Sequence, residues 1–191
     1  MLYLGIMLHV HSEKNELPFD GTIIDIETVG NFCDYRDSRC YQKLVLILFG
    51  YVNNGELKIF CAEGEEDLTK LKENCSKLIH SLEKPFFAYN CGFEMGVLHH
   101  ACGLKIEFDG DLMKEKVVGV KWENKREACA ELGISNYGDP FNGFGRQCSS
   151  AWLNGNYEDA IKHNRSCLLS ERDILLKRGY RKPDNFMFYP I

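Results

Sequence analysis

The 191-residue chain has no apolar run long enough to cross a bilayer; the longest, Lys43 to Val52, is short and broken by glycine. The opening stretch, Met1 to Val10, is apolar but has neither a basic leader nor a small-residue cleavage site. It therefore reads as an N-terminal strand or arm and not as a signal peptide. Paired C-x-x-C spacing is absent, which argues against structural zinc even where Cys91, His99, His100 and Cys102 lie close together. There is no G-x-G-x-x-G, no Walker-type phosphate loop and no G-x-S-x-G elbow, so dinucleotide, P-loop and α/β-hydrolase chemistry find no support. Positive charge is also short: 23 Lys and Arg stand against 28 Asp and Glu, a net charge of −5. Such a chain has no global attraction for nucleic acid, and any such binding must come from a local patch or from bound cations.

What is present describes a globular protein. Hydrophobic residues make up 45% and charged residues 27%, a balance that buries a core and does not stay disordered. The nine cysteines are odd in number and scattered, and Cys75, Cys102 and Cys129 sit in apolar segments. That suits reduced thiols in a cytoplasmic protein. The length fits one domain over residues 1–191, with an arm at 1–20, a core at about 21–178 and an irregular tail at 179–191.

The β-branched run Gly21 to Glu27 predicts a strand buried on both faces. Asn31 to Tyr41 reads as a loop, Lys43 to Val52 as a second strand, and Asn53-Asn54-Gly55 as a hairpin turn into a third strand, Glu56 to Cys61. Apolar residues then recur at helical spacing from Glu66 to Leu82, and a short aromatic strand follows at Phe86 to Tyr89. A helix from Gly92 to Cys102 is closed by Gly103, and Lys105 to Phe108 predicts another strand. Helices are expected at Glu123 to Leu132, Arg146 to Leu153 and Tyr157 to Arg178, the last capped by Asn156, with Ser135 to Gly145 as a loop. A hairpin followed by alternating elements implies an α/β fold, a mixed sheet with antiparallel hairpin strands and parallel strands flanked by helices.

In such sheets ligands gather at the carboxyl ends of strands. Asp25 and Glu27 stand two apart on one strand and so share a face. Two carboxylates facing one way repel unless a cation bridges them, which points to a hard divalent metal with oxygen ligands. Glu94 follows the aromatic strand in the first turn of the next helix, where it also complements the helix dipole. Asp111 lies just beyond the next strand and doubles as an N-cap for a helix starting at Leu112.

These segments resemble the DEDD-type 3′–5′ exonucleases of the ribonuclease H-like superfamily, among them the proofreading domains of family B DNA polymerases and their stand-alone relatives. Ile24-Asp25-Ile26-Glu27-Thr28 resembles the first motif, Ala88-Tyr89-Asn90 with Phe93-Glu94 the second, and Ile161 to Cys167 the third. The likeness spans about Gly21 to Leu176. It implies a ribonuclease H-like fold and hydrolysis of DNA or RNA from a single-stranded 3′ end by two divalent cations, Mg²⁺ or Mn²⁺. By this resemblance Asp25, Glu27 and Glu94 would hold the metals, and His163 would orient or deprotonate the water. Thr28, Tyr89, Asn90, Asn164 and Arg165 would contact substrate, and Phe93 would pack in the core or stack on a terminal base. No membrane partner is expected.

Two positions depart from the pattern. Glu94 stands where the family has Asp. The carboxylate of the last motif would fall on Cys167 by the spacing of one branch of the family and on Leu168 by that of the other, and neither is an acid. Cys167 reads as a buried structural cysteine, and its soft sulfur suits zinc better than Mg²⁺ or Mn²⁺. Asp111, Asp159, Glu171 or Asp173 would have to supply the missing acid. The alternative reading is therefore a catalytically impaired nucleic-acid-binding or scaffold module with this fold, and a third is a hydrolase or transferase for a small phosphate ester. The basic cluster Lys177, Arg178, Arg181 and Lys182 reads chiefly as a solvated face.

Overall fold

The computed structural model describes residues 8–114 and 123–191. Strands β1 (His9–Lys14), β2 (Thr22–Val29), β3 (Val45–Asn53), β4 (Glu56–Cys61), β5 (Phe86–Ala88) and β6 (Gly110–Asp111) form a mixed sheet in the order β1-β4-β3-β2-β5-β6. The β1-β4-β3-β2 half is antiparallel, and β2, β5 and β6 run parallel. Leu46 to Phe49 on β3 and Ile23, Ile24 and Ile26 on β2 are buried. Such continuous apolar runs are what a strand covered on both faces needs. At the β3–β4 turn the Asn53 side chain accepts from the backbone N–H of Gly55 and Glu56, at 2.9 and 3.0 Å, which fixes the hairpin.

Among the described residues five α-helices flank the sheet: α1 (Leu68–Ile79), α2 (Cys91–Cys102), α3 (Lys125–Leu132), α4 (Gly145–Leu153) and α5 (Tyr157–Arg178). α1 buries Leu71, Cys75 and Ile79, one stripe at four-residue intervals. α2 ends at Gly103 in a left-handed cap, and α3 opens on a capping box between Asn124 and Glu127. α5 settles on β3 because Gly50 has no side chain: a Cβ there would collide with Asn164 Oδ1 and meet Leu168 Cδ1 at 2.9 Å. Ser149 and Trp152 tie α4 to the sheet by donating to the carbonyls of Thr28 (2.7 Å) and Ala62 (2.5 Å).

The α/β class and the mixed sheet agree with the sequence reading; four local expectations are settled or changed. His9–Lys14, where the sequence reads as a strand or arm, forms a strand at one edge of the sheet, alternating exposed and half-buried residues against β4. The residues before Leu8 lie outside the described residues. No strand forms over Lys105 to Phe108. Ile106 and Phe108 are buried without a ladder, and pairing with β5 begins only at Gly110, where the rings of Tyr180 and Phe87 leave no room for a Cβ. Asp111 caps no helix at Leu112; its carboxylate accepts from the N–H of Asn90 and Met113 and pairs with Arg181 at 3.0 Å. The tail is irregular as expected but anchored: Arg181 bridges to Asp111, and Tyr189 bonds to Ser38 and His99. All nine cysteines are unpaired, and among the described residues no helix is long and apolar enough to cross a membrane.

Candidate active site

A pocket of about 470 Å³ opens where β2 and the β5–α2 turn meet α3 and α5. Asp25, Glu27, Tyr89, Asn90, Glu94 and His163 all line it, and so does Cys167. The first motif reaches it because β2 alternates: Asp25 and Glu27 point to one face while Ile24 and Ile26 fill the core. The second reaches it because Asn90 adopts a left-handed conformation (φ 71, ψ 62) that turns β5 directly into α2 and carries Glu94 inward on its first turn. His163 and Cys167 follow one helical turn apart on α5.

The pocket floor has two halves. In the first, Asp25 is clamped by Asn164, whose Nδ2 donates to Oδ2 at 2.6 Å and to the Asp25 carbonyl at 3.2 Å. Its other oxygen, Oδ1, receives the Lys125 ammonium at 2.9 Å, and the same ammonium pairs with Glu171, which is closed off from solvent. Glu94 is buried beside them, and its Oε2 has no hydrogen-bond partner among the described residues. Burial, then the charges of Asp25 and Glu171, push Glu94 well above the usual carboxylate range. Burial likewise raises Glu171, against the pull of Lys125. Lys125 keeps its charge despite burial because Asp25, Cys167 and Glu171 surround it.

In the second half His163 is held from behind. Its Nδ1 donates to Asp139 Oδ1 at 2.8 Å, leaving Nε2 3.5 Å from Glu27 Oε1 and 3.8 Å from Cys167 Sγ. Asp139 is fixed in turn by the N–H groups of Phe141 (2.9 Å) and Gly143 (2.5 Å); burial opposes its charge, but the His163 hydrogen bond and then these N–H groups hold its carboxyl below the usual range. Burial raises Glu27 to about 7, with His163 opposing and Asp25 reinforcing. Burial works against the charged imidazole, but Cys167, Asp139 and Glu27 together push His163 up to about 11. These neighbours favour the protonated ring. It suits an orienting charge or a proton donor better than the water-activating base that the resemblance implies.

Of the expected substrate contacts, Tyr89 and Asn90 line the pocket, though the Tyr89 hydroxyl donates to Glu123 at 2.8 Å. Asn164 serves Asp25 instead, Thr28 does not line the pocket, and Arg165 turns away to pair with Glu13 on β1 at 2.7 Å. Phe93 lines the pocket while packing on Tyr41. Among the acids weighed as replacements for the missing carboxylate, only Glu171 reaches the cluster. Asp111 is held by Arg181, Asp159 lies beside Asn156 and Lys162 at the start of α5, and Asp173 bonds Tyr137 and Arg172. The basic cluster at the end of α5 is half engaged: Lys177 and Lys182 are exposed as expected, whereas Arg178 binds Glu123 and Arg181 binds Asp111 and Asp184.

Sequence reasoning missed Lys125, Asp139 and the exposed rim residue Arg126. Asp139 stands in a Gly-Asp-Pro turn whose only local signal is turn chemistry, and Lys125 follows a helix N-cap like any surface lysine. The fold and site together define an α/β protein with a mixed six-stranded sheet and an acidic pocket at the carboxyl ends of its parallel strands. No family model, curated protein or solved structure compared with the chain matches it.

Proposed function

We propose that the chain is a ribonuclease H-like domain that hydrolyses phosphodiester bonds of DNA or RNA from the 3′ end with the help of a divalent metal. The observation that carries this reading is convergence: Asp25, Glu27, Glu94 and His163, from three widely separated segments, line one pocket. The sheet is compatible with it, since β2 lies between antiparallel β3 and parallel β5. Asp25, Glu27 and Glu94, whose Oε2 has no hydrogen-bond partner among the described residues, would hold one hard cation, Mg²⁺ or Mn²⁺, only by drawing closer together. Among the described residues it is Glu27, His163 and Cys167 that bring three ligand atoms within 4.8 Å of one another. A bound Mg²⁺ or Mn²⁺ would supply Lewis-acid stabilisation of a phosphate. The three carboxylates do not fit two such ions. Cys167 stands where the second hard cation needs an oxygen ligand, and Glu171 is taken by Lys125.

The chain's own residues have separable tasks. Asn164 fixes the orientation of Asp25. Charged His163 offers a proton or a stabilising charge to the oxygens of the scissile phosphate. Arg126, exposed at the pocket rim, supplies the cation for a phosphate that Arg165 does not. The unpaired thiols suit a reducing compartment such as the cytoplasm. Labelled single-stranded DNA and RNA incubated with Mg²⁺ or Mn²⁺ should shorten stepwise from the 3′ end, and Asp25→Ala should abolish this. A wild-type chain that leaves both substrates intact with either metal refutes the hydrolytic reading.

One observation favours a second reading, a nucleic-acid-binding or scaffold module without turnover: the Lys125 ammonium sits 2.9 Å from Asp25 Oδ1, where a catalytic cation would bind. Oligonucleotide binding by fluorescence anisotropy without cleavage, weakened by Arg126→Ala, supports that alternative.

A further inference from the structure

We propose that Glu27, His163 and Cys167 form a binding site for a single borderline-soft transition metal, Zn²⁺ in the first place, with its fourth position open to the pocket. The site lies in the pocket assigned above but does not require that assignment to hold. One oxygen, one nitrogen and one sulfur donor lie within 4.8 Å of one another. Tetrahedral zinc, with bonds of about 2.0–2.3 Å, sets its ligand atoms about 3.4–3.6 Å apart. The separations of 3.5 Å from His163 Nε2 to Glu27 Oε1 and 3.8 Å from Nε2 to Cys167 Sγ are close to that spacing.

Three further features fit a metal site. The His163 Nδ1 bond to Asp139 is the carboxylate–histidine arrangement that orients a metal-bound imidazole and leaves Nε2 free to ligate. His163 and Cys167 lie at i and i+4 on a rigid 22-residue helix, the spacing at which two side chains of one face share a metal. All three ligands line the pocket, so the remaining coordination position faces the space a water or phosphate oxygen would enter. A structural cysteine needs none of this arrangement. The thiolate also discriminates: Mg²⁺ and Ca²⁺ prefer all-oxygen sites, whereas Zn²⁺ and Co²⁺ accept sulfur. Binding requires Cys167 and His163 to give up their protons, so affinity rises with pH and protons are released.

The test uses Co²⁺ as a spectroscopic probe on the full chain after chelator treatment. One equivalent of Co²⁺ should produce a thiolate-to-cobalt charge-transfer band and tetrahedral d–d absorption, and Zn²⁺ but not Mg²⁺ should displace it. Cys167→Ser should remove the band, while Cys129→Ser, at another pocket cysteine, should retain it. Asp139→Asn keeps all three ligands and should weaken Zn²⁺ binding about 10–100-fold, with an unchanged circular dichroism spectrum. The absence of a thiolate band, a band that survives Cys167→Ser, or Zn²⁺ affinity indifferent to Asp139→Asn overturns the proposal. The outcome is separate from that for hydrolysis. Cobalt binding through Cys167 without cleavage defeats the nuclease reading alone, and Mg²⁺-supported cleavage without the band defeats this one alone.

Discussion

The two halves of the pocket floor take the same problem, carboxylates crowded under a sheet edge, to different ends. Around Asp25 the chain supplies its own cation: Lys125 neutralises Asp25 and Glu171, and Asn164 saturates the remaining oxygen. Around Glu27 it supplies an imidazole and a thiol, positioned from behind by Asp139 and facing open space. The first half is arranged like a closed ion-pair network, in which removing one member strands a buried charge. The second keeps donors that an incoming ion or substrate can reach. Burial alone does not separate them, since Asp25, His163 and Cys167 are all buried. The difference lies in whether the side chains saturate one another, as around Asp25, or leave donor atoms facing the pocket, as around Glu27.

The comparison is broken most severely at Lys125. Lys125→Met leaves Asp25 and Glu171 without their counter-ion and should lower stability by about 3–5 kcal/mol at neutral pH in urea unfolding. Mg²⁺ should restore part of that loss and stabilise the variant more than it stabilises the wild type, because it can replace the missing ammonium; a variant as stable as the wild type would mean that the first half is not closed by this ammonium. Gly50→Ala is next. Its Cβ would strike Asn164 Oδ1, so overpacking of about 1–3 kcal/mol is expected, together with a disturbed Asp25. The obstacle at this position is the neighbouring side chain on α5 and not the backbone angle of β3. Unfolding at the wild-type urea midpoint would show that α5 moves aside without cost.

The second half should show itself in pH. Glu27 is raised from 4.5 to about 7 in the fold, so between those values the folded state holds more protons than the unfolded chain. Stability must then fall as pH rises through that window. His163, raised from 6.5 to about 11, continues the fall: its contribution is complete below about 6.5 and is lost as pH climbs through 11. Glu27→Gln should flatten the lower part of the profile measured by thermal melts of the chelator-treated chain across pH, and an unaltered slope would remove Glu27 as its source. The smallest effect belongs to Arg165→Ala. Its pair with Glu13 lies outside the pocket and is part-exposed, so the loss should stay under about 1 kcal/mol, with oligonucleotide affinity unchanged. A large fall in affinity would return Arg165 to the substrate path.

Much of the scaffold was legible because it is written in local patterns. The run around Leu46 to Phe49, the Asn53 turn, the helical spacing of Leu71, Cys75 and Ile79, and the caps at Gly103 and Asn156 each act within a few residues. The edge strand β1 was only half visible, and β6 was displaced from Lys105–Phe108 to Gly110–Asp111, because both depend on what their partner strand offers. At the site, Asp25, Glu27, Glu94 and His163 were legible through their motifs. Asn164 and Arg165 were named but face partners the motif does not reveal, Asp25 for one and Glu13 for the other.

By itself the sequence determined that Asp25 and Glu27 share a face, since a strand alternates with period two, and that His163 and Cys167 share one, since a helix returns after four. It also determined that a thiol stands where a carboxylate would favour a hard cation. Only the tertiary structure decided what meets those groups. Lys125 lies 100 residues from Asp25 in the chain, and Asp139 lies 24 from His163. No local periodicity relates positions so far apart. Their meeting is set by how α3, the loop before α4 and α5 pack over the sheet, and that packing turned one acidic pocket into a closed half and an open one.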